Sequence, residues 1–371
     1  MEDAERCLRS RGAHSEVSMS TPFATIEEAI EEIRKGRMVV VIDDEDRENE
    51  GDLTLAAQHI TPEAIAFMAT FGRGLICVAM EGERLDHLHI PLMVQDNSSP
   101  FETAFCITVE AREGTSTGIS AGDRAQTIKK LIDPTAKPSD FVKPGHMFPL
   151  RARSGGVLTR TGQTEASVDL ARLAGLHPSG VICEIMKDDG TMARVPDLVP
   201  FCQQHGLLLV TVADLVAYRL RKDPIVRHLH SQPMMTLWGQ ATVHRYKSLL
   251  DGTDHFAFTF PDPGNGMAPL VRVHLESLPE DLAGLGGSDN SPFHAAMTAI
   301  AKEGGTLVYL RRNSEAVAES YLSDREVGTG SQILRHLGIQ RMRLLTRHSK
   351  KYIGLKGFDL DIVEQVLMDL P

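Results

Sequence analysis

An α/β fold of mixed sheets and helices, divided into two domains, is the class this sequence predicts, and three observations carry it. At 371 residues the chain exceeds the size at which a single hydrophobic core usually stops growing. Helical apolar spacing and short β-branched runs alternate, as when Ile26, Ile30 and Ile33 give way to Val39-Val40-Val41-Ile42. Lys222-Asp223-Pro224 then breaks a helical pattern, and strand patterns follow one another beyond it before helices resume. The predicted division is a disordered tail over 1–20, a first domain over 21–224 and a second over 225–371.

Bulk properties narrow the function classes. Apolar residues make up 42% and charged residues 24%, an ordinary globular balance. A net charge of -11 argues against a nucleic-acid or anionic-membrane surface. The five cysteines, Cys7, Cys77, Cys106, Cys183 and Cys202, are far apart, odd in number and contain no C-x-x-C pair. That usage fits a reduced, cytoplasmic setting and gives neither a disulfide framework nor a cysteine zinc site. No apolar run approaches the roughly 18 residues of a membrane span, so no membrane association is expected.

Taken in order, Thr25-Ile26-Glu27-Glu28 reads as a capping box and Gly36 as a stop, so a first helix delivers the chain into the strand Met38–Ile42. Thr61-Pro62 opens a second helix. Strands are expected over 74–80 and 103–111, and the small-residue loop from Glu113 to Arg124 then opens a helix at Ala125. Gly155 onward reads as a turn and strand feeding a helix to about Ala174. A strand over 180–185, a helix over 196–205, a strand through Val210 and a helix over 213–222 close the unit. After a polar linker from His228 to Pro233, strands are expected over 241–248, 255–260 and 270–275.

The chemistry concentrates in Asp43-Asp44-Glu45-Asp46-Arg47-Glu48-Asn49-Glu50-Gly51-Asp52, between the strand Met38–Ile42 and the apolar run Leu53–Ala57. Seven carboxylates and one guanidinium at a strand end repel one another strongly unless a cation compensates. Oxygen-only ligands suit magnesium or manganese, and an extended backbone would send Glu48, Glu50 and Asp52 to one side at period two. Arg47 adds a positive fork for a phosphate or an enolate oxygen. A solvated acidic loop is the ordinary reading of such a run, and the flanking strands weigh against it. Other candidates are isolated. Backbone N–H groups of the loop around Thr117 suit an anion, although such loops are more often plain turns. His146 is braced by prolines, and a lone histidine is more often structural. Arg160 and Thr164 flank a helix start, and Glu184 is a carboxyl in an apolar strand.

From about residue 24 to 222 the sequence resembles 3,4-dihydroxy-2-butanone 4-phosphate synthase of riboflavin biosynthesis. The resemblance rests on D-D-E-D-R-E-N-E-G-D at 43–52, G-x-S-T-G-I-S-A-G-D-R around 114–124, K-P-G-H-M-F-P-L at 143–150, G-G-V-L-T-R-T-G-Q-T-E-A at 155–166, and V-I-C-E-I with D-D-G-T-M-A-R over 181–194. It implies a homodimer that converts D-ribulose 5-phosphate to dihydroxybutanone phosphate and formate with magnesium or manganese. It further implies that Arg47 and Glu48 hold substrate and metal, that Asp52, Thr117, Arg160, Thr164 and Glu184 complete the sugar-phosphate site, and that His146 is essential. Asp52, His146 and Glu184 are the proton-transfer candidates, and which carboxylate removes the first proton stays open. Gln163 stands where the family has a metal-ligating histidine. Its amide oxygen can still bind a hard cation, more weakly than an anionic ligand.

From about 235 to 367 the sequence resembles the GTP cyclohydrolase II domain often fused to this synthase, through Leu270-Val271-Arg272-Val273-His274, Val308-Tyr309-Leu310-Arg311, Gly328-Thr329-Gly330-Ser331-Gln332 and Lys351-Tyr352-Ile353-Gly354-Leu355. Ser277, Ser288 and Asn290 replace the family's three zinc cysteines, so no zinc is expected. Glu315 falls where an arginine is usual, and Arg347-His348-Ser349 replaces Asn-Asn-Pro. The implied second domain keeps a fold and has lost its GTP chemistry. A bifunctional enzyme and a non-catalytic regulatory protein are the alternatives.

Overall fold

The computed structural model describes residues 22–44, 47–262, 264, 266–277, 281, 291–312, 324–347 and 358–368. The contacts divide the chain into two units, the first comprising residues up to Arg151 together with Leu170–Thr211, the second Ala152–Asp169 together with Val212 onward. Along the chain these units change over at 211/212, with one excursion over 152–169.

In the first unit the helix α1 (Ile26–Arg34) starts on the expected capping box, in which the Thr25 side chain accepts from Glu28 N while Glu28 accepts from Thr25 N. It leads into β1 (Val39–Ile42), wholly buried, and β2 (Gly51–Ala56) pairs back on it antiparallel. Thr61 caps α2 (Pro62–Phe67) through Ala64 N, with Pro62 in the first turn. There follow β3 (Cys77–Glu81), α3 (Gly82–His87), β4 (Val109–Ala111), α4 (Ala121–Ile132), β5 (Phe141–Ala152), α5 (Gln163–Leu173), whose residues up to Asp169 count with the second unit, β6 (Ser179–Glu184), α6 (Val195–His205) and β7 (Leu208–Thr211). The sheet order is β4-β5-β3-β6-β2-β1-β7, antiparallel at β1/β2 and β2/β6 and parallel at β1/β7, so the predicted mixed α/β class is what is observed. Val40, Leu53, Leu55, Val78, Val181 and Cys183 form the centre of its core.

The second unit begins with α7 (Val212–Lys222). It continues through β8 (Val226–Thr236), β9 (Gly239–Ser248), β10 (Asp254–Phe260), β11 (Leu270–Leu275), α8 (Pro292–Glu303), β12 (Gly305–Leu310), α9 (Asp324–His336), β13 (Arg341–Thr346) and β14 (Asp361–Leu367). Its sheet order is β14-β13-β11-β12-β10-β9-β8. No helix among the described residues is long and apolar enough to cross a membrane.

Several expected elements shift, each for a local reason. The helix predicted to open at Ala125 starts four residues earlier because the Ser120 hydroxyl accepts from Asp123 N and caps it there. The strand expected over 103–111 is regular only at Val109–Ala111, with isolated bridges at Phe105 and Cys106. Where a turn and strand were expected after Gly155, a 3-10 turn over Gly156–Leu158 feeds α5. The predicted linker His228–Pro233 lies inside β8. That strand is the sheet edge and exposed along most of its length, so polar side chains carry no penalty and erase the apolar alternation by which strands are read.

Candidate active site

Three strand ends meet at the acidic stretch. β1 ends at Ile42 opposite Gly51, and Asp52 on β2 lies directly opposite Glu184 at the end of β6. Residues directly opposed on neighbouring strands project from the same face with Cβ atoms about 5 Å apart, so the sheet register itself brings these two carboxyls together.

The loop between β1 and β2 is folded around Asp43. Its buried carboxylate accepts from Glu50 N at 2.8 Å and Glu48 N at 3.3 Å and pairs with Arg47 Nη1. Asn49 takes a left-handed conformation, with φ 54°. The extended arrangement with Glu48, Glu50 and Asp52 in one row is therefore corrected, because the Asp43 carboxylate draws two backbone amides back over itself. Glu45 and Asp46 lie outside the described residues. Arg47 also reaches Glu48 Oε1 through Nη2 at 3.1 Å and lies 5.3 Å from the centre of the Phe101 ring. Arg194, from the N-cap of α6, donates to the carbonyl oxygens of Glu48, at 2.6 Å, and Asn49.

Electrostatics single out the carboxyl pair. Asp52 is 3% exposed, and its Oδ1 has no hydrogen-bond partner. Burial, reinforced by the Glu184 charge and then by Asp43, Glu48 and Glu50, pushes its pKa well above the carboxylate range. Glu184 is raised too, chiefly by burial, although Leu75 N donates to its Oε2 at 2.8 Å. Gly74 makes room for that side chain, since a Cβ there would meet Glu184 Oε2 at 2.5 Å. Glu50 is likewise raised, by burial and then by Glu48. Carboxyls held above their ordinary range are suited both to taking and to giving protons.

His146 is on β5 and half exposed, and its Nδ1 meets Glu110 Oε2 of β4 at 2.7 Å. Glu110 was not identified from the sequence. A carboxylate in the short run Thr108-Val109-Glu110-Ala111 is the same kind of signal that drew attention to Glu184. Gly118, with φ 90°, packs against it so closely that a Cβ would meet Glu110 Oε2 at 1.8 Å. In the sheet β3 lies between β5 and β6, which separates the strands of His146 and Glu184 laterally by about 10 Å.

The small-residue loop is not an open cradle of amides. Asp123 fills it, accepting from Ser116 N and Oγ and from Gly118 N, bonds led by those of Ser116 that lower its pKa to about 2. Thr117 is exposed beside them. Arg160, Gln163 and Thr164 belong to the other contact unit. There Gln163 and Thr164 are buried in the first turn of α5, and Arg160 Nη1 donates to the buried Glu165 at 2.6 Å. Ser277 donates its backbone N–H to Asp281, which also bonds His274 and Tyr309. Ser288, Asn290, Glu315, His348 and Ser349 lie outside the described residues.

Buried, mutually repelling carboxyls at a strand end, beside an arginine fork, are of the kind that suits acid–base work on a polar substrate. Comparison with known proteins makes this specific. Residues 27–218 match the family model of 3,4-dihydroxy-2-butanone 4-phosphate synthase and residues 227–367 that of GTP cyclohydrolase II. The chain is 49% identical, over 93% of its length and 92% of the relative's, to the riboflavin biosynthesis protein RibBA of Aquifex aeolicus. A crystal structure of RibBX, described as a two domain 3,4-dihydroxy-2-butanone 4-phosphate synthase from A. baumannii, matches with a TM-score of 0.77 and 41% identity, covering 93% of this chain and 100% of that one. A crystal structure of 3,4-dihydroxy-2-butanone 4-phosphate synthase in complex with two magnesium ions matches 54% of this chain and 99% of its own, with a TM-score of 0.52 and 42% identity. The chain belongs to the 3,4-dihydroxy-2-butanone 4-phosphate synthase family, lyases of riboflavin biosynthesis, with a GTP cyclohydrolase II-type second half.

Proposed function

We propose that the first half acts on D-ribulose 5-phosphate, releasing formate and 3,4-dihydroxy-2-butanone 4-phosphate, with the Asp52–Glu184 pair as its acid–base centre. The direct opposition of these two carboxyls on β2 and β6 is the observation that carries the reading. Enolisation, dehydration, skeletal shift and carbon–carbon cleavage each need a proton moved or an oxyanion held. Carboxyls with raised pKa values supply the first, and Arg47, clasped by Asp43 and Glu48, supplies a fixed positive fork for the second. His146, oriented by Glu110, is assigned a further proton transfer. Thr117, Arg160 and Thr164 are assigned to the sugar phosphate.

The oxygen donors are of the type a hard dication, magnesium or manganese, takes, although no cluster of three or more acidic, histidine or cysteine side chains is gathered for one among the described residues. The orphaned Oδ1 of Asp52 and the repulsion among Glu48, Glu50, Asp52 and Glu184 are what such a cation would relieve. Glu48 and, by family position, Gln163 would hold it. When bound, it supplies Lewis-acid stabilisation of an enediolate. Purified protein given ribulose 5-phosphate and magnesium should release formate, and Glu48→Gln should abolish that release while the fold is retained. No formate from the unaltered protein would refute the activity, and near-normal turnover of the variant would remove Glu48 from the metal site.

The chain is read as a homodimer on the family resemblance. The second half is read as lacking GTP cyclohydrolase activity, because Ser277 offers a hydroxyl where zinc needs a thiolate. The relative described as a two domain 3,4-dihydroxy-2-butanone 4-phosphate synthase supports that reading.

A further inference from the structure

In the second unit a cavity of about 450 Å³ opens at the amino-terminal ends of the parallel strands β11 and β12. Its size falls within the roughly 300–1,000 Å³ of small-molecule sites. It is distinct from the position of the family's zinc cysteines. Ser277 follows the carboxyl end of β11, whereas Pro269 before that strand and Gly304-Gly305-Thr306 at the start of β12 bound the cavity.

Phe260, Met267, Leu337 and Ile339 give it apolar walls. The polar lining is neutral or anionic. The hydroxyls of Thr259 and Thr306 bond to each other at 3.1 Å, Asp262, which accepts from Gly264 N at 2.8 Å, and Glu303 contribute carboxylates, and no lysine or arginine is among the described lining residues. Arg343 pairs with Glu303 at 2.8 Å but is shared with Glu364 at 2.7 Å, so that cluster keeps a net negative charge.

One wall residue, His244, is part of a built arrangement. On β8, His228 lies opposite Tyr246, and Ser231 lies opposite His244, with a register shift between His228 and His230. Three residues apart, His228 and Ser231 would face opposite sides of a regular strand, and the bulge turns both to one side. Ser231 Oγ then bonds His228 Nε2 at 2.8 Å and His244 Nδ1 at 2.7 Å. His336, next to the wall residue Leu337, stacks on His228 at 4.7 Å and meets the Tyr246 hydroxyl at 3.0 Å. Burial and then the neighbouring imidazoles lower the pKa values of His244 and His336.

We propose that this cavity binds an uncharged heteroaromatic molecule of nucleoside size that carries an exocyclic amino group. The ring packs on the apolar walls and the amino group donates toward Asp262 and Glu303. Phosphorylated forms are rejected, because Asp262 and Glu303, the latter only partly offset by the shared Arg343, repel a phosphate. This separates the site from any GTP chemistry.

The test is calorimetric titration of the full chain with adenosine and cytidine, with their oxo counterparts inosine and uridine, and with adenosine 5′-monophosphate. Saturable binding of at least one amino nucleoside is expected. It should weaken about tenfold or more for the oxo counterpart and for the monophosphate, since the bond from the amino group is then lost and a carboxylate faces a carbonyl oxygen or like charge. Glu303→Gln and His244→Phe should each weaken the amino nucleoside similarly while formate release stays at the level of the unaltered protein. No binding by either amino nucleoside, equal binding of the monophosphate, or unchanged affinity in both variants would overturn the proposal.

Discussion

Replacing Asp52 by asparagine should stabilise the protein at neutral pH while lowering its turnover. Asp52 and Glu184 face each other across β2 and β6, so their charges are separated by about 5 Å. At an effective dielectric near 20, two full charges at that distance repel by about 3 kcal/mol. The amide removes the charge with little change of shape. Because the pair shares its charge with protons, a gain of about 1–3 kcal/mol is expected in chelator, or about 2–4 °C in melting temperature for each kcal/mol. The pH dependence fixes the cause. Both carboxyls titrate above their unfolded values, so their contribution to stability is full below the ordinary carboxylate range and is lost as pH rises through the raised values. The variant keeps what the unaltered protein loses, so the two melting curves should coincide near pH 4 and diverge toward pH 8. Scanning calorimetry across that range, with formate release measured in parallel, is the assay. A variant less stable at neutral pH, or a gain independent of pH, would refute the repulsion argument.

The remaining predictions concern single groups. His146→Ala should lower turnover by about two to four orders of magnitude, the range of proton-transfer groups, and Glu110→Gln should move the pH–rate profile by withdrawing the carboxylate at 2.7 Å. A change confined to melting temperature would return both to a structural role. Gln163→His should tighten manganese or cobalt more than magnesium, since imidazole suits those ions better. Identical metal titrations of the two proteins would remove position 163 from the site. The full chain should bind no stoichiometric zinc and release no formate from GTP, and metal analysis finding one tight zinc per chain would overturn the reading of the second half.

Most of the first unit is legible in local chemistry. Thr25 with Glu28, Thr61 with Pro62, and the β-branched run Val39–Ile42 each announce the element that the structure shows. The acidic stretch is legible as a site, because seven carboxylates at a strand end have no packing rationale. Its conformation is not, since the turn depends on Asp43 capturing amides five and seven residues away. Partners contributed by distant segments are equally hidden. Glu110 meets His146 only through the pairing of β4 with β5, and Arg194 reaches the loop from 146 residues along the chain. Strand β8 was missed because an edge exposed to water carries no alternation to read.

The loop bearing Arg47 and Glu48 is tethered twice, by unlike means. Asp43 grips it from within through a side-chain ion pair and two amides, whereas Arg194 grips it from without through carbonyl oxygens. Such redundancy makes loosening graded instead of all-or-none. Cutting either tether leaves the other in place, and the two failures differ in kind. Loss of Asp43 takes one carboxylate from the guanidinium, which keeps Glu48, and releases two amides, whereas loss of Arg194 releases the carbonyl oxygens of Glu48 and Asn49 and leaves both carboxylates on the guanidinium. The acidic motif and the distant Asp188-Asp189-Gly190-Thr191-Met192-Ala193-Arg194 stretch therefore form one mechanical unit. Substitutions in the second would register as altered substrate handling by the first, without touching a single carboxylate.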